Sequence, residues 1–461
     1  MTDKYHEFIQ RKRDLIKPHG FKVPSDRFNP AAFDWQTRII DWSLRRGRSA
    51  VFAECGLGKT LMQLEWAHWI HRKTKQPVVI HCPVGVRQQT KKEAAKFSIK
   101  SKVKVVDSPD QMINGINLIN YEKAHKFDFS GCAGVVLDES QILKGMDGKT
   151  RQLLTDVWQH VDFKLACTAT PAPNDHMELG NHAEFLGVCP ALDMLSKYFV
   201  HDSGDTSKWR LRKHAVQDFW KWVASWAVCI SKPSDLGGDD DGFDLPELVI
   251  DRHFVEIERE PPKGRFFHDT SLSATNIHTE RKLTNDVRCA KAVELARACQ
   301  DFCIIWCDTN YEADRLAELL PEAIEVRGSE PDRVKEQKLT DFSDQKTQIL
   351  ISKPSIAGLG MNWQHCNHMV YAGLSYSFEK MYQSIRRCWR FGQQRPVYVD
   401  VVLADTDSSV NSVIAKKSAD FELMRSGMAE AMREGTLLEF GLDNQKVRFE
   451  KTQHIELPTW L

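Results

Sequence analysis

The sequence predicts an α/β protein with two parallel-sheet units in tandem, the first carrying a helical insertion and the second followed by a helical tail. Short apolar runs rich in β-branched residues alternate with helical stretches up to residue 168, and the alternation resumes after residue 285. Apolar strands separated by helices are typical of a parallel sheet that is covered on both faces. A glycine- and aspartate-rich stretch divides the two regions, so we expect two units rather than one.

The expected organisation has five parts. Residues 1–30 form a polar lead-in, 31–235 the first unit with its helical insertion at 174–232, 236–285 a linker or hinge region, 286–407 the second unit, and 408–461 a helical tail. Within the hinge region, a strand or two is expected at 247–257. The three adjacent aspartates at 239–241 lack the regular ligand spacing of a calcium loop, so we interpret them as a solvated loop.

The elements of each unit follow from apolar periodicity. In the first unit an amphipathic helix begins at Phe33 and ends at Arg46, just before a glycine. A second helix is predicted at 86–97, and strands at 78–82, 103–106, 116–120, 133–137 and 163–168. In the second unit helices are predicted at 285–300, 312–320, 331–342 and 378–389, and strands at 302–306, 323–326, 348–351, 368–371 and 397–403.

Composition excludes several classes of protein. The 461 residues include 63 basic and 63 acidic side chains, so no global positive field indicates a nucleic-acid partner. No apolar run approaches membrane-spanning length, and the charged N-terminus lacks a secretory core. The 12 cysteines include no C-x-x-C pair, and we interpret Cys299, Cys303 and Cys307 as core residues. We expect a reduced, cytoplasmic protein.

The segment at 51–60, V-F-A-E-C-G-L-G-K-T, has the form of a phosphate-binding loop. It leads from an apolar strand through two glycines into a helix. Glycines let such a loop turn its backbone N–H groups towards phosphate oxygens. Lys59 is expected to reach the β- and γ-phosphates, and the Thr60 hydroxyl to ligate Mg²⁺. The full pattern has glycine where Ala53 stands, so a tight strand-to-helix turn is the alternative.

Acidic and hydroxyl side chains follow two further predicted strands. Asp138 and Glu139 come directly after the strand at 133–137, and the carboxyl ends of parallel strands form the ligand-binding edge of a sheet. Asp138 can hold Mg²⁺ there, and Glu139 can orient or deprotonate an attacking water. Thr168 and Thr170 could sense the γ-phosphate, or they could simply end a strand before a proline turn.

The second unit contains a basic segment beside a glycine-rich one. Arg387 and Arg390 lie three residues apart at the end of a predicted helix, so they project from one face. Guanidinium groups can stabilise charge on a transferring γ-phosphoryl group. A solvent-facing basic helix is the alternative, but it does not explain the adjacent G-L-G-M-N segment at 358–362.

These motifs, taken in order, resemble those of superfamily-two helicases, and within them the Swi/Snf-type group of DNA translocases. The ordered set is Gln36, A-E-C-G-L-G-K-T, D-E-S-Q, T-A-T-P, A-G-L-G-M-N and Q-S-I-R-R-C-W-R-F-G-Q, and it extends over about residues 33–403. The compact length and the R-C-W-R-F-G-Q form are similar to stand-alone phage and bacterial helicases. Ala53 and Cys55 depart from the group's usual Gly and Met, although the loop binds through backbone N–H groups.

The resemblance implies two RecA-like lobes that bind ATP and Mg²⁺ in the cleft between them. Gln36 would read the adenine, helped by Phe33 or Trp35. The implied nucleotide-binding set is Gln36, Glu54, Cys55, Gly56, Leu57, Gly58, Lys59, Thr60, Gly360, Asn362 and Gln383. The implied catalytic set is Lys59, Asp138, Glu139, Arg387 and Arg390, with Thr60 and Asp138 on the metal, Thr168 and Thr170 coupling hydrolysis to the lobes, and Arg390 the stronger candidate for the γ-phosphate.

The implied partner is DNA, duplex or branched, gripped through its phosphates. Candidate contacts are Arg87, Lys91, Lys92, the Asn120-Tyr121 corner and Ser355. Tryptophans in the insertion, at 209, 220, 222 and 226, could stack on a DNA strand or fill a core. An RNA helicase and a nucleotide-gated clamp with little turnover remain alternatives. The motif forms favour DNA over RNA, and the intact catalytic set favours an enzyme over a clamp.

Overall fold

The computed structural model describes residues 18–144, 148–173, 175–201, 209–256, 281–358, 360–373 and 377–404, with part of 427–440. The chain divides into two units, Met1–Phe243 with Phe421–Gln453, and Asp244–Asp420 with His454–Leu461. The predicted lead-in lies largely outside the described residues, as do 257–280 of the predicted hinge and most of the predicted tail. No helix among the described residues is long and apolar enough to cross a membrane.

The first unit is built around a seven-stranded parallel sheet. Its strands occur in the order β3-β4-β2-β5-β6-β1-β9, and all neighbouring pairs are parallel. The unit's strands are β1 (Arg48–Ala53), β2 (Val78–Cys82), β3 (Val103–Val105), β4 (Ile116–Asn120), β5 (Gly134–Asp138), β6 (Phe163–Thr168), the antiparallel pair β7 (Phe199–His201) and β8 (Trp209–Leu211), and β9 (Ala227–Ile230). The predicted parallel sheet of this unit is confirmed.

Seven α-helices accompany this sheet among the residues described for the first unit. They are α1 (Asp34–Arg46), α2 (Lys59–Thr74), α3 (Val86–Lys96), α4 (Lys149–Val157), α5 (Leu179–Leu186), α6 (Ala191–Tyr198) and α7 (Val216–Ala224). Helix α2 is the most deeply placed, because every residue from Leu61 to Ile70 is buried. A helix that is buried all round belongs to the core rather than to the surface. The end of the phosphate loop is therefore anchored in the interior of the unit.

The predicted helical insertion needs a correction. Its described part contains α5, α6 and α7, but it also contains the β7–β8 pair, and Ala227–Ile230 is β9, which pairs with β1 at the edge of the main sheet. The apolar run A-V-C-I is short and continuous, a pattern that does not distinguish a buried strand from a helical segment. Trp220 and Trp226 are buried in the core, and Trp209 and Trp222 pack against it. The core interpretation of these tryptophans is therefore correct.

The second unit has a six-stranded sheet that is also parallel throughout, in the order β10-β15-β14-β11-β13-β12. Its strands are β10 (Leu248–Val255), β11 (Cys303–Trp306), β12 (Ile324–Val326), β13 (Ile349–Ser352), β14 (His368–Tyr371) and β15 (Val397–Ala404). Its helices are α8 (Asn285–Ala298), α9 (Asn310–Leu319), α10 (Asp332–Ser343), α11 (Pro354–Ala357) and α12 (Phe378–Ile385). The α/β class with two parallel sheets is confirmed. Strand β10, inside the predicted hinge region, pairs along its whole length with β15.

Candidate active site

The phosphate loop joins β1 to α2 through two glycines in left-handed conformations. Gly56 has φ of 94° and Gly58 has φ of 74°, values that residues with a Cβ atom rarely adopt. A Cβ atom at Gly58 would also lie 2.4 Å from Nε2 of Gln36. Ala53, which departs from the full sequence pattern, is the last residue of β1 and is completely buried. The substitution therefore falls in the strand, before the turn that the glycines make.

The side chain of Lys59, at the first position of α2, folds back over the loop. Its Nζ donates to the carbonyl oxygens of Ala53, at 2.7 Å, and Glu54, at 3.2 Å. The Glu54 carboxylate accepts a hydrogen bond from the backbone N–H of Cys55 at 2.8 Å. These bonds hold an ammonium group over a glycine turn at a helix N-terminus, an arrangement suited to binding an anion.

Gln36 ties α1 to the phosphate loop. Its Nε2 donates to the carbonyl of Leu57 at 2.9 Å, and its Oε1 accepts from the backbone N–H of Phe33 at 3.0 Å. Phe33 stacks on Trp35, with ring centroids 6.2 Å apart and planes 8° from parallel. Phe33 is 54% exposed whereas Trp35 is 3% exposed. Of the two predicted aromatic helpers, only Phe33 presents its ring to solvent.

The two predicted acids lie where β5 ends. Asp138 is the last residue of β5 and its Oδ1 accepts a hydrogen bond from Nε2 of Gln63 at 2.7 Å. The hydroxyl of Tyr121 donates to the Asp138 carbonyl at 2.6 Å. Burial and the charge of Asp138 raise the pKa of Tyr121 well above its ordinary value, so the phenol stays a donor. Asp138 is therefore held through both its side chain and its backbone.

Glu139 has a strained backbone, with φ of 57° at a residue that carries a side chain. Such conformations cost on the order of 1–3 kcal/mol and persist where the surroundings fix them. Its Oε2 accepts a hydrogen bond from Nε2 of Gln141 at 3.2 Å. Gln141 lies in the short helical turn Ser140–Leu143 that follows. The orientation of the Glu139 carboxylate is therefore set by this turn rather than by β5.

A chain of hydrogen bonds continues from these acids to the end of β6. The Thr168 hydroxyl donates to Oε1 of Gln141 at 2.6 Å, and the backbone N–H of Thr170 donates to the Thr168 hydroxyl at 3.0 Å. Both threonines are completely buried. Gln141 therefore connects Glu139 directly to the two threonines that the sequence marks as candidate coupling residues.

Strand register brings the groups of this site together. Asp138 on β5 is paired with Cys167 on β6, and Cys167 is paired with Val51 on β1, the strand that leads into the phosphate loop. Burial and the neighbouring charge of Asp138 raise the pKa of the Cys167 thiol, while the nearby charge of Lys59 opposes the shift. The lysine and the acid therefore both lie within electrostatic range of one buried thiol.

This set of donors fits a magnesium nucleotide. The ammonium of Lys59 and the N-terminus of α2 suit phosphate oxygens, while the Thr60 hydroxyl and the Asp138 carboxylate are hard oxygen ligands of the kind that Mg²⁺ prefers. The carboxylate of Glu139 adjoins these ligands in the chain and remains an acceptor for a water proton. The residues present therefore suit the phosphates of a nucleotide together with a divalent metal ion.

Two site residues escaped sequence reasoning. Gln63 belongs to none of the motifs, although it lies four residues after Lys59 and so occupies the same face of α2. A glutamine on a helix that is otherwise largely apolar in this stretch was the available signal. Gln141 belongs to the D-E-S-Q motif, but its role depends on contacts between two strands and a turn, which no local pattern predicts. A third contact, between Ser140 Oγ and His182 Nε2 at 3.0 Å, attaches the same turn to α5.

In the second unit, the two predicted arginines converge on one carbonyl oxygen. Nη1 of Arg387 lies 3.4 Å, and Nη1 of Arg390 3.3 Å, from the Met361 oxygen. Arg387 is also bonded to Gln383, through its backbone oxygen at 2.7 Å and its Oε1 at 2.9 Å. The helical prediction is wrong here in extent, because α12 ends at Ile385 and both arginines lie on the turns that follow. We call residues 386–390 the arginine turn.

The glycine-rich segment lies against the arginine turn. The backbone N–H of Trp363, next to Asn362, donates to the Arg387 carbonyl at 3.0 Å, and Gly360 has φ of 73°. Arg386, which sequence analysis did not single out, is buried among the rings of Tyr382, Trp389 and Phe391. The structure therefore brings Gly360, Asn362, Gln383, Arg387 and Arg390 together within this unit.

The candidate nucleic-acid contacts do not all reach the surface. Arg87 is completely buried and its Nη1 is bonded to Asp107 at 2.7 Å, so its assignment to a DNA phosphate is wrong for this conformation. Asn120 and Tyr121 are also buried, at 3% and 4% exposure. Asn120 is the last residue of β4, and Tyr121, which follows it, is bonded to the last residue of β5. Lys91, Lys92 and Ser355 are exposed. Surface access could not be judged from the chemical type of these residues.

Comparison with known proteins identifies relatives of both units. The family described as "Helicase conserved C-terminal domain" matches residues 288–392. The "DNA annealing helicase and endonuclease ZRANB3" of Bos taurus is 22% identical over 440 residues, 82% of this chain and 39% of the bovine protein. The "Uncharacterized ATP-dependent helicase YqhH" of Bacillus subtilis (strain 168) is 22% identical over 446 residues, 85% of this chain and 78% of that protein.

A solved structure is also similar over most of the chain. It is the "Sulfolobus solfataricus SWI2/SNF2 ATPase core in complex with dsDNA", with a TM-score of 0.41 and 15% identity, covering 94% of this chain and 98% of the other. The chain spans about two fifths of the length of its bovine relative. In its motifs, its matched C-terminal domain and these two relatives, the chain is similar to superfamily-two helicases of the Swi/Snf type.

Proposed function

We propose that this protein is an ATP-dependent DNA translocase or helicase, in which ATP hydrolysis is coupled to movement along DNA or to its remodelling. The observation that carries the proposal is the hydrogen-bonded connection from Glu139 through Gln141 to Thr168 and Thr170. A site that only stored nucleotide would not require its water-directed acid to be bonded to the end of another strand. A movement of the Glu139 side chain can therefore be transmitted through Gln141 to the segment that contains Thr168 and Thr170.

Each site residue of the first unit has a defined task in this proposal. Bound magnesium-ATP supplies the transferable phosphoryl group. Lys59 leaves the carbonyls of Ala53 and Glu54 and turns towards phosphate oxygens, since charge-assisted bonds to phosphate are stronger than bonds to neutral carbonyls. Thr60 and Asp138 provide oxygen ligands for the metal. Glu139 orients a water and accepts its proton.

Two further tasks rest on the family resemblance. We propose that Gln36 recognises the adenine amino group and N7 with the amide that now bonds Leu57 and Phe33. We also propose that Arg387 and Arg390 stabilise the charge that develops during hydrolysis, with Arg390 making the larger contribution. Arg387 already makes three bonds to Gln383 and Met361, whereas Arg390 is the less buried of the two. Arg390 is therefore the more accessible of the two arginines to a phosphate.

The substrate class follows from the relatives and from the surface. The bovine relative is named a DNA annealing helicase and endonuclease, and this chain covers 39% of its length. We propose that the DNA is held through its phosphates, with the exposed Lys91, Lys92 and Ser355 among the contacts. Contacts of this kind position a backbone without reading sequence.

The test is ATP hydrolysis in the presence of single-stranded DNA, duplex DNA, branched DNA and RNA at equal nucleotide concentration. We expect DNA to raise turnover and RNA to leave it near the basal rate. Stimulation by RNA alone would replace the proposal with an RNA helicase. Tight ATP binding without stimulation by any polynucleotide would replace it with a nucleotide-gated clamp. The Lys59→Ala protein is the control for contaminating ATPase and should be inactive on every substrate.

The arginines have a matched pair of variants. Arg390→Ala should lower turnover by on the order of 10³-fold, the range found for arginines that stabilise a transferring phosphoryl group, while nucleotide binding is retained. Arg395→Ala removes a nearby, exposed arginine that pairs with Asp301, and it should leave turnover unchanged. Equal effects of the two substitutions would show that Arg390 has no special role.

A further inference from the structure

Helix α5 carries two adjacent polar side chains that the proposed function does not use. Asn181 and His182 are both completely buried, whereas the other buried residues of α5 are apolar or glycine. A buried polar side chain is costly unless it is hydrogen-bonded, so its partners indicate its role. Both side chains are bonded to the short turn Ser140–Leu143, the turn that sets the orientation of the Glu139 carboxylate.

His182 holds the beginning of this turn. Its Nε2 lies 3.0 Å from the hydroxyl oxygen of Ser140, and both groups are buried. Burial lowers the pKa of His182 to about 4, so the imidazole is neutral at neutral pH. Ser140 directly follows Glu139 in the chain. The bond to His182 therefore fixes the residue next to the acid.

Asn181 holds the end of the turn. Its Nδ2 donates to the carbonyl oxygens of Leu143, at 2.9 Å, and Lys144, at 3.1 Å. The last carbonyl groups of a helical turn have no donor within the turn itself. One side-chain amide therefore supplies a donor to two of these oxygens, and a substitution that removes the amide takes the donor from both.

The middle of the turn is held from another direction. Oε1 of Gln141 accepts from the Thr168 hydroxyl at 2.6 Å, and Nε2 of Gln141 donates to Glu139. The turn is thus bonded to α5 at its start and at its end, and to the end of β6 at its centre.

Glu139 needs this support because its backbone conformation is unfavourable. Its φ of 57° lies in the left-handed region, which residues with a side chain rarely adopt. A conformation of this kind persists only while the surroundings fix it. Release of the turn would let Glu139 return to an ordinary backbone conformation, and its carboxylate would leave its present position next to Asp138 in the chain.

Helix α5 is itself attached to two other elements of the first unit. The carbonyl oxygen of Phe185 accepts a hydrogen bond from Nζ of Lys164, on β6, at 2.9 Å. The carboxylate of Glu184 pairs with Arg151, on α4. These contacts make the helix a fixed support against which the turn can be held.

We propose that Asn181 and His182 are positioning residues for ATP hydrolysis, which hold the turn Ser140–Leu143 so that Glu139 faces the attacking water. This inference rests on the proposed function, and it adds that the first helix of the insertion is required for the chemical step. The bonds from these side chains to the turn do not involve Lys59 or Thr60. Their loss should therefore lower kcat and leave the binding of ATP unchanged.

The experiment measures kcat for ATP hydrolysis, with and without duplex DNA, and the equilibrium Kd for ATP in the full chain. Asn181→Leu keeps a side chain of similar size but removes the donor. It should lower kcat by on the order of 10²-fold, the loss expected when a reacting group is misplaced by about 1 Å, with no change in Kd. The matched control is Glu184→Gln on the same helix, which breaks the pair with Arg151 and should leave kcat unchanged.

His182 offers a test by restoration. His182→Leu removes the bond to Ser140 and should lower kcat. His182→Gln should restore most of the loss, because its Nε2 can occupy the position of the imidazole Nε2. Ser140→Ala deletes only the hydroxyl at the other end of this bond, and it keeps the inference testable if a substitution in α5 prevents folding. It should also lower kcat with Kd for ATP unchanged.

Two results would overturn the inference while ATP hydrolysis by the wild type leaves the proposed function standing. One is a wild-type kcat in folded Asn181→Leu or Ser140→Ala protein. The other is an equal kcat in His182→Leu and His182→Gln, which would indicate that His182 only fills space. Absence of hydrolysis by the wild type with every polynucleotide would instead overturn the proposed function, and this inference with it.

Discussion

The side-chain amide of Gln36 donates a hydrogen bond to the carbonyl oxygen of Leu57, with 2.9 Å between the two atoms. This bond joins helix α1 to the phosphate loop, 21 residues later. A Cβ atom at Gly58 would lie 2.4 Å from Nε2 of this amide, so a side chain at that position would displace the amide. A residue proposed to read the base is thereby part of the loop proposed to hold the phosphates, so recognition of the two ends of the nucleotide is physically linked.

Replacing Gln36 should weaken the binding of ATP more than the binding of other nucleotides. Gln36→Ala removes the amide that would bond adenine and also frees the Leu57 carbonyl, a loss of about 1–2 kcal/mol, or about tenfold in the KM for ATP. The KM values for ATP and GTP should be measured together. We expect the preference for ATP over GTP to become smaller. The change at the Leu57 carbonyl affects the binding of both nucleotides, whereas the loss of the bond to adenine affects only ATP. An unchanged preference would show that Gln36 has only a structural role.

Gln63 should control the magnesium requirement through Asp138. Gln63→Leu removes the donor that fixes Oδ1, so the Mg²⁺ concentration for half-maximal hydrolysis should rise several-fold while the KM for ATP at saturating Mg²⁺ changes little. Gln63→Glu places a second carboxylate beside Asp138, and repulsion raises the pKa of one of the pair. When the solution is acidified, ATP hydrolysis by that variant should therefore be lost at a higher pH than hydrolysis by the wild type. Identical magnesium and pH profiles in all three proteins would refute this role.

Gln141 and Thr168 should behave as one functional unit. Gln141→Leu and Thr168→Val each break the 2.6 Å bond between them, and each should reduce DNA-stimulated turnover by about tenfold, since a buried polar group is left unpaired. The double variant should be little worse than either single variant. This double-mutant cycle is read from kcat with and without duplex DNA. Additive losses would indicate that the two residues act independently.

The buried pair Arg288–Glu312 should dominate the stability of the second unit. Its atoms are 2.9 Å apart, and the side chains are 2% and 0% exposed. Arg288→Met leaves a buried carboxylate without its cation and should cost about 3–5 kcal/mol. The matched control is Arg297→Met, whose pair with Glu322 is about half exposed and should contribute less than about 1 kcal/mol. Similar unfolding midpoints for the two variants would contradict the assignment.

The Arg288–Glu312 pair also predicts how the stability of the protein changes with pH. Burial alone would raise the pKa of Glu312, but the Arg288 charge and two backbone N–H groups outweigh burial and lower it. A carboxylate whose folded pKa is depressed contributes stability above its unfolded pKa and loses it as the pH falls through the folded value. The stability difference between wild type and Glu312→Gln should therefore shrink below about pH 4.5. Thermal unfolding of both proteins from pH 7 to pH 3.5 measures it.

Sequence patterns predicted the two sheets well, because buried parallel strands are short apolar runs with clear boundaries. The strands at 78–82, 116–120 and 163–168 occur where they were expected. β9 was missed because A-V-C-I is too short for periodicity to separate strand from helix. The end of α12 was misjudged because arginine and tryptophan are compatible with either a helix or a turn.

The candidate site was predictable where local spacing defines it, and not where it depends on tertiary contacts. The loop at 51–60 and the acids after β5 follow from motif order. Gln63 reaches Asp138 across 75 residues of chain, and no local pattern encodes that contact. The burial of Arg87 was equally hidden, because a basic residue followed by exposed lysines has the same local pattern whether or not a partner such as Asp107 lies nearby.

The central claim is that hydrolysis at the site around Glu139 drives movement along DNA. Displacement of a third strand from a DNA triplex measures movement along a duplex directly, without requiring strand separation. We predict ATP-dependent displacement by the wild type and none by Glu139→Gln, which should still bind ATP. DNA-stimulated hydrolysis by the wild type without displacement of the third strand would contradict the claim.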